Sequence, residues 1–325
     1  MGDSLSRSWR GTADPLELPF VSIIVETTTW HDRGHVLLAD SLAALRGQRY
    51  PADRLEIIVV LAPENEQRWA ALAPRWPGVV AVHAPAGLSL YQLKGRGVRQ
   101  ARGDVVAFVD ADNWVGPDWV SEIVRPFALD NRVVAVHGPI HFRRSFLSRM
   151  WDAVWWSRAY EAEGPIDRVY ASNNVAFRRR TFEDHFYDDP NRHRGVWERV
   201  MTYRLQAAAG IIWFAPPAVL LHDFSPSLGY FSRRALSRGY TFMAVRLEFP
   251  LRHDRLLLPI RWLAPFILFP GLALKDVWRI VSRSCLDWRS WWHVPLYLVT
   301  YLPFSIIVLA GMVMAAWRFP AIAPP

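Results

Sequence analysis

Short apolar runs alternate with longer amphipathic stretches from Phe20 to about Asp223. Four runs are rich in β-branched residues and have the length of buried parallel strands, at residues 20–26, 55–61, 78–84 and 104–110. Helices are predicted between them, near residues 35–47, 64–73 and 89–102, and Pro117 fits the first turn of a further helix. This alternation predicts a doubly wound α/β sheet, with its ligand site beyond the carboxyl ends of the strands.

The C-terminal pattern differs, because residues 294–317 contain no charge. At about 1.5 Å per residue, this stretch can cross a hydrocarbon core of about 30 Å. Tryptophans flank it on both sides, as interfacial anchors do. The pattern predicts a transmembrane helix over residues 294–317.

The preceding stretch, residues 256–274, is apolar but contains Arg261 and three prolines, each of which weakens a straight helix. The basic residues after it favour the cytosolic side. We therefore interpret residues 241–293 as a basic segment that lies at the interface or re-enters the membrane, with a two-helix hairpin as the alternative.

Composition and charge narrow the choice of protein class. The hydrophobic content of 51% excludes a disordered chain, and the single cysteine excludes both a disulfide scaffold and a cysteine-based zinc site. Between residues 233 and 289 there are eleven basic and four acidic residues, which account for most of the net charge of +8. Their position beside apolar segments favours membrane lipids over nucleic acid as the partner, although a solvated basic face is the alternative.

The fourth strand runs directly into Asp110 and Asp112. Carboxylates in this position are oxygen ligands suited to Mg²⁺ or Mn²⁺, which can bridge the phosphates of a nucleotide and stabilise a departing diphosphate. An exposed turn or a helix cap is the alternative. The position after a buried strand favours a metal site.

At this point the chain resembles a family 2 glycosyltransferase with the GT-A fold. The resemblance covers about residues 20–240 and rests on four segments in order: residues 20–30, 93–120, 169–179 and 196–223. It implies a catalytic domain of a mostly parallel sheet, a divalent metal cofactor and a nucleotide-diphospho-sugar donor. It also implies an inverting reaction, in which one carboxylate deprotonates the acceptor hydroxyl.

The resemblance also implies roles for individual residues. Glu198 falls on the position of the catalytic base, and His222 on that of an additional metal ligand used by some relatives. The donor-binding candidates are Glu26, Lys94, Asp110, Asp112, Arg234 and Arg238, and the sugar- or acceptor-binding candidates are Asn173, Asn174 and Trp197. Glu26 and Lys94 depart from the family pattern, in which a proline and an arginine stand at these positions. Structural alternatives stay open for Glu198, His222 and the two asparagines, surface positions for Glu26 and Lys94, and headgroup contact for the arginines.

The sequence departs from the family pattern in two further informative places. After the second strand, residues 61–64 lack the aspartates that read the nucleobase, which leaves the base open. Arg261-Trp262 lacks the Gln-x-x that precedes this pair in processive synthases, so we expect transfer of a single sugar.

These observations predict a tail at 1–19, a catalytic domain at 20–240, the basic segment, the transmembrane helix and a tail at 318–325. The N-terminus has no apolar signal region, so we expect the catalytic domain to face the cytosol at the cytoplasmic membrane. The expected acceptor is a lipid-linked or other glycan. A catalytically silent domain that serves as a membrane scaffold is the competing hypothesis. A nicotinamide-binding Rossmann enzyme is disfavoured, because no Gly-x-Gly-x-x-Gly follows the first strand.

Overall fold

The computed structural model describes residues 18–28, 30, 38–142, 146, 162–186, 197–222, 227–248, 254–284 and 293–318. The strands are β1 Val21–Glu26, β2 Leu55–Leu61, β3 Val80–His83, β4 Val105–Asp110, β5 Asn113–Val115, β6 Val133–His137, β7 Ile140–Phe142, β8 Gly164–Ile166, β9 Val175–Arg178, β10 Ile211–Phe214 and β11 Leu220–His222. The helices are α1 Leu38–Arg46, α2 Glu66–Leu72, α3 Leu90–Gln100, α4 Trp119–Leu129, α5 Arg179–Phe186, α6 Trp197–Ala207, α7 Leu228–Glu248, α8 Ala264–Ser284 and α9 Val294–Arg318.

In the part of the chain that the structure describes, eight strands form one mixed sheet, in the order β3-β2-β1-β4-β9-β6-β10-β8. The four strands predicted from the sequence are parallel neighbours, and β10 runs parallel to β6. The strand β9 runs antiparallel between β4 and β6, and β8 is antiparallel at the edge. The predicted α/β class with a mostly parallel sheet is therefore confirmed.

The strands β1 and β4 are buried over their whole length, as expected for β-branched runs covered on both faces. Behind β4, the rings of Phe108, Phe177 and Phe182 lie with their centroids 5.3 to 5.9 Å apart. A Cβ at Gly97 would lie 2.5 Å from Ile24 Cγ2, so glycine allows α3 to pack closely against β1.

The chain divides into two compact units. The first contains the eight-stranded sheet with α1 to α5, and the second contains α7, α8 and α9. The boundary between them falls within α6 and β11. The domain boundary predicted at residue 240 falls inside α7, which continues unbroken to Glu248.

Two proline predictions need correction. Helix α4 begins at Trp119, so Pro117 precedes the helix instead of occupying its first turn. Helix α8 continues through Pro270, and Pro265 lies in its first turn, where the missing N–H has no cost. Among the described residues, one helix, α9, is long and apolar enough to cross a membrane.

Candidate functional site

Two carboxylates meet where β1 and β4 end. In the parallel pairing of these strands, Glu26 lies opposite Asp110. Glu26 is fully buried, and Asp110 keeps 7% of its surface exposed. Both belong to the edge of the sheet at which a doubly wound fold binds its ligand, as the sequence predicted for Asp110.

Lys94 supplies the positive charge beside this carboxylate pair. It is fully buried, and its Nζ donates to Asp110 Oδ1 at 2.7 Å and to the Ser172 carbonyl oxygen at 2.5 Å. A capping box of Ser89 and Gln92 fixes the start of α3, the helix that carries Lys94. Lys94 therefore joins the end of β4 to the segment before β9, and its predicted contact with the donor stays a prediction.

The turn after β4 is held by hydrogen bonds within the turn and by hydrogen bonds from α1. Asn113 Oδ1 accepts from the Asp110 backbone N–H at 3.0 Å, and Asn113 Nδ2 donates to Asp112 Oδ1 at 3.1 Å. From α1, Ser41 Oγ lies 2.9 Å from the Ala111 carbonyl oxygen and 2.6 Å from that of Asn113. The carboxylates of Asp110 and Asp112 are thus oriented before any ligand binds.

The segment before β9 is anchored to this turn. Asn173 Nδ2 donates to Asn113 Oδ1 at 3.1 Å. Asn174 has a positive φ of 51° and is fully buried. Its Nδ2 donates to the carbonyl oxygens of Pro139 and Ala218, and its Oδ1 accepts from Trp119 Nε1 at 2.7 Å. The structure brings Asn173 to the aspartates and gives Asn174 an internal role, while their sugar-binding roles stay predictions.

Burial and a neighbouring carboxylate change the pKa of Glu26. Burial, followed by the neighbouring Asp110 carboxylate, raises the pKa of Glu26 from its ordinary value of 4.5 to about 7. Lys94 and hydrogen bonds from Thr28 oppose that rise in pKa. Thr28 donates to Glu26 Oε2 from its backbone N–H at 2.7 Å and also from its hydroxyl. The Glu26 carboxyl therefore changes its charge near neutral pH.

The carboxylates of Asp110 and Asp112 suit Mn²⁺ or Mg²⁺ when a substrate supplies further ligands to the metal. Mg²⁺ is commonly held by one or two carboxylates together with substrate phosphates, and Asp110 and Asp112 offer two. In the described residues no three His, Cys, Asp or Glu side chains lie close enough together to hold a metal ion. The role of His222, at the end of β11, as a third ligand therefore stays a prediction.

The remaining predicted residues lie on α6 and α7. Glu198 is in the first turn of α6 and is half-buried, whereas the side chain of Trp197 lies outside the described part of the chain. Arg234 is exposed on α7. Arg238 forms a bidentate ion pair with the buried Asp276 at 2.6 and 2.8 Å. This pair gives Arg238 a structural contact, and its predicted donor binding stays a prediction.

Sequence reasoning missed the supporting residues Ser41, Trp119 and Ser172. Their partners lie 55 to 78 positions away along the chain, so no local pattern could reveal them. For Asn113 the available signal is its position three residues after Asp110, because asparagine side chains bond to nearby backbone groups.

Residues 31–186 match the family model described as glycosyl transferase family 2. The chain carries a family 2 glycosyltransferase domain. The match begins a few residues after β1 and extends to the end of α5. It includes Lys94, Asp110, Asp112, Asn173 and Asn174. The predicted family and enzyme class are confirmed at the level of this domain.

Relatives of this family 2 domain include a curated protein of Bacillus subtilis (strain 168) named as a glycosyltransferase, EpsH. The two are 27% identical over 119 residues, which make up 34% of this chain and 31% of EpsH. The matched part therefore spans about a third of that relative.

Two solved structures are similar in fold. The mannosyltransferase PcManGT from Pyrobaculum calidifontis, in complex with GDP-Man and Mn²⁺, has a TM-score of 0.59 at 16% identity and covers 95% of this chain and 90% of its own. GalNAc-T7, with UDP, GalNAc and Mn²⁺, has a TM-score of 0.51 at 14% identity and covers 72% of this chain and 52% of its own. At such identities the likeness shows the GT-A-like fold alone.

Proposed function

We propose that the chain transfers a single sugar from a nucleotide-diphospho-sugar donor to an acceptor hydroxyl, with inversion at the anomeric carbon. The observation that carries the proposal is the pair Asp110 and Asp112, fixed at the carboxyl edge of a family 2 domain by Lys94 and Asn113. Both similar structures were solved with Mn²⁺ and with a nucleotide or nucleotide sugar, which supports this donor class.

Asp110 and Asp112 would hold the divalent metal through their carboxylate oxygens. When bound, the metal supplies Lewis-acid stabilisation of the departing diphosphate. Lys94 orients the Asp110 carboxylate through an ion pair of 2.7 Å. Asn173, bonded to the same asparagine as the two aspartates, is suited to orient a sugar hydroxyl.

Glu198 is the proposed general base. Its carboxylate takes the proton of the acceptor hydroxyl while that oxygen forms a bond to the anomeric carbon. The bond from this carbon to the diphosphate oxygen breaks, and its electron pair leaves with the nucleoside diphosphate. A single displacement of this kind inverts the configuration.

The acceptor is proposed to be a lipid-linked or other glycan at the cytosolic leaflet. The second unit supports this location, because its sequence joins apolar helices to a surplus of basic residues over positions 233–289. A membrane-attached enzyme meets amphiphilic acceptors at a higher local concentration than a free one does. The catalytic domain would face the cytosol.

The substitution Asp112→Asn tests the proposal. In the purified full chain with Mn²⁺, it should lower donor turnover by at least about 100-fold, because electrostatic stabilisation of the leaving group is lost. Asp118→Asn, which changes an exposed carboxylate six residues away, should turn over donor as the wild type does. Equal activity of Asp112→Asn and wild type would refute the metal site. A wild type that releases no nucleoside diphosphate from any donor would favour the scaffold hypothesis.

A further inference from the structure

Helix α8 exposes a continuous apolar side. Phe266, Leu274 and Trp278 follow one another at spacings of eight and four residues and are 55%, 70% and 68% exposed. Ile267 adds to the same side. The charged residues of the described part of α8, including Lys275 and Asp276, lie outside this side, because each residue turns the helix by about 100°. The helix is amphipathic, with its apolar side toward the surroundings.

Helix α9 also exposes an apolar face. Leu296, Val299, Leu302 and Ile306 recur at helical spacing and are between 48% and 67% exposed. The opposite face is buried and includes Tyr301, Phe304 and Val308. Within the second unit, both α8 and α9 therefore present apolar surface outward, which in a water-exposed protein marks an interaction site.

Helix α7 packs against the middle of α9. A Cβ at Gly239 would lie 1.8 Å from the Val308 carbonyl oxygen, and a Cβ at Gly311 would lie 2.1 Å from that of Leu236. The Phe231 and Phe304 ring centroids are 5.7 Å apart. The α9 residues in these contacts lie on either side of the midpoint of α9. Measured along the axis of α9, α7 therefore lies beside the centre of that helix.

Charged residues of α7 and α8 also lie beside the middle of α9. Arg233 and Arg234 are exposed on α7 a few residues from the contact with α9. Asp276 of α8 binds Arg238 and accepts from Tyr301 Oη at 2.8 Å, so the middle of α8 also lies beside the middle of α9. The neighbouring Lys275 is exposed. If α9 crossed a bilayer, these charges would be carried toward the hydrocarbon centre.

We propose that the second unit attaches to the membrane without crossing it. The apolar sides of α8 and α9 lie in the boundary between headgroups and acyl chains of the cytosolic leaflet, and the arginines of α7 stay in water. This inference rests on the membrane attachment within the proposed function, and it replaces the crossing expected at residues 294–317. A single exposed guanidinium at the centre of the hydrocarbon disfavours insertion by about 100-fold, and α7 carries two.

The partner surface is a bilayer with anionic headgroups. Arg255, Arg261 and Lys275 lie near the exposed apolar residues along the chain, and the region carries a surplus of basic charge. An apolar face that enters the acyl boundary, flanked by cationic side chains, is the arrangement with which interfacial helices bind such surfaces.

The single cysteine, Cys285, tests the topology because it lies between α8 and α9 in the sequence. Spheroplasts that express the full chain are treated with a membrane-impermeant maleimide, and a Cys285→Ser, Ala323→Cys variant reports on the C-terminus. We expect both sites to react only after permeabilisation. Labelling of Ala323→Cys alone from outside would show a single crossing, and labelling of Cys285 alone would show a hairpin. Either result would overturn the proposal.

A second experiment tests the apolar side itself. Purified wild-type chain should float with vesicles of phosphatidylcholine and phosphatidylglycerol, bind pure phosphatidylcholine more weakly, and lose binding as salt is added. Leu274→Glu should weaken binding by at least about 10-fold, while Ser237→Glu, on an exposed polar position of α7, should not. Equal binding by Leu274→Glu and wild type would contradict the inference.

Turnover separates this inference from the proposed function. Leu274→Glu should retain Mn²⁺-dependent donor hydrolysis even where vesicle binding is lost. A chain that hydrolyses donor but never enters the membrane fraction would refute the attachment and leave the chemistry standing.

Discussion

Lys94 is the positive member of a buried group that contains the carboxylates of Glu26 and Asp110. The Lys94 side chain lies entirely beneath the surface. Its two hydrogen bonds join α3, β4 and the segment before β9. The geometry of the aspartates therefore depends on a residue that the solvent does not reach.

Replacing Lys94 by Met should destabilise the first unit. Removal of one partner leaves a buried carboxylate without compensation, so we expect the free energy of unfolding to fall by about 3–5 kcal/mol. Arg99→Met, on an exposed position of the same helix, should change it by less than about 0.5 kcal/mol. Urea unfolding measures both variants, and a Lys94→Met protein as stable as Arg99→Met would contradict the role of the ion pair.

Glu26 predicts a pH dependence of stability. Its pKa is about 7 in the folded protein against 4.5 ordinarily, so between these values the folded state binds more protons than the unfolded state. The contribution of Glu26 to stability is therefore greatest below about pH 4.5 and declines as the pH rises through 7. Glu26→Gln should remove this decline.

The comparison is made by urea unfolding at several pH values between 4.5 and 8, with the exposed Glu64→Gln as control. The difference in stability between Glu26→Gln and wild type should grow with pH, in favour of the variant, while Glu64→Gln follows the wild type. A constant difference across this range would show that Glu26 does not titrate there.

Several residues of the candidate site could be predicted from the sequence, whereas the burial that holds them in place could not. Asp110 and Asp112 could be predicted because they follow a buried strand, and the resemblance pointed to Lys94 and Asn173. The burial of Glu26 and Lys94 could not be predicted, because it depends on how β1, α3 and β4 pack together. Chemistry at strand ends is local in sequence, whereas burial is a property of the assembled sheet.

Among the strands and helices, some could be predicted from the sequence and others could not. The four strands β1 to β4 were predicted within two residues of their observed ends, since each is a continuous β-branched run. The short strands β5, β7 and β8 have three residues each, too few to establish a period. The continuity of α7 past residue 240 follows from its packing against α9, a contact between segments about 70 residues apart.

Glycines set the distance between α7 and α9. Gly239→Ala places a methyl group 1.8 Å from a backbone oxygen of Val308, so we expect the helices to separate and the free energy of unfolding to fall by about 1–3 kcal/mol. Gly271→Ala in α8 meets no atom within 4 Å and should stabilise its helix by up to about 1 kcal/mol. Thermal unfolding in detergent should shift in opposite directions, and a matching shift would contradict the close packing.

For the whole molecule, the basic surplus and the two aspartates of the proposed metal site belong to different units. Most of the chain's net charge of +8 arises from residues 233–289 of the second unit, where basic residues adjoin the exposed apolar sides of α8 and α9. The first unit carries the carboxylates at the edge of its sheet. The sequence pattern favoured a crossing at residues 294–317. The proposed surface attachment depends instead on which charged residues pack beside α9, and that packing is not visible in the pattern.

Asp110 and Asp112 are proposed to support metal-dependent use of a nucleotide sugar. The most direct measurement is release of nucleoside diphosphate by the purified full chain from a panel of nucleotide sugars, with Mn²⁺ and with a chelator. We expect release from at least one donor with Mn²⁺, little with the chelator, and little from Asp112→Asn under either condition. Release that is equally fast in wild type and Asp112→Asn, or absent for every donor in the panel, would contradict this proposal.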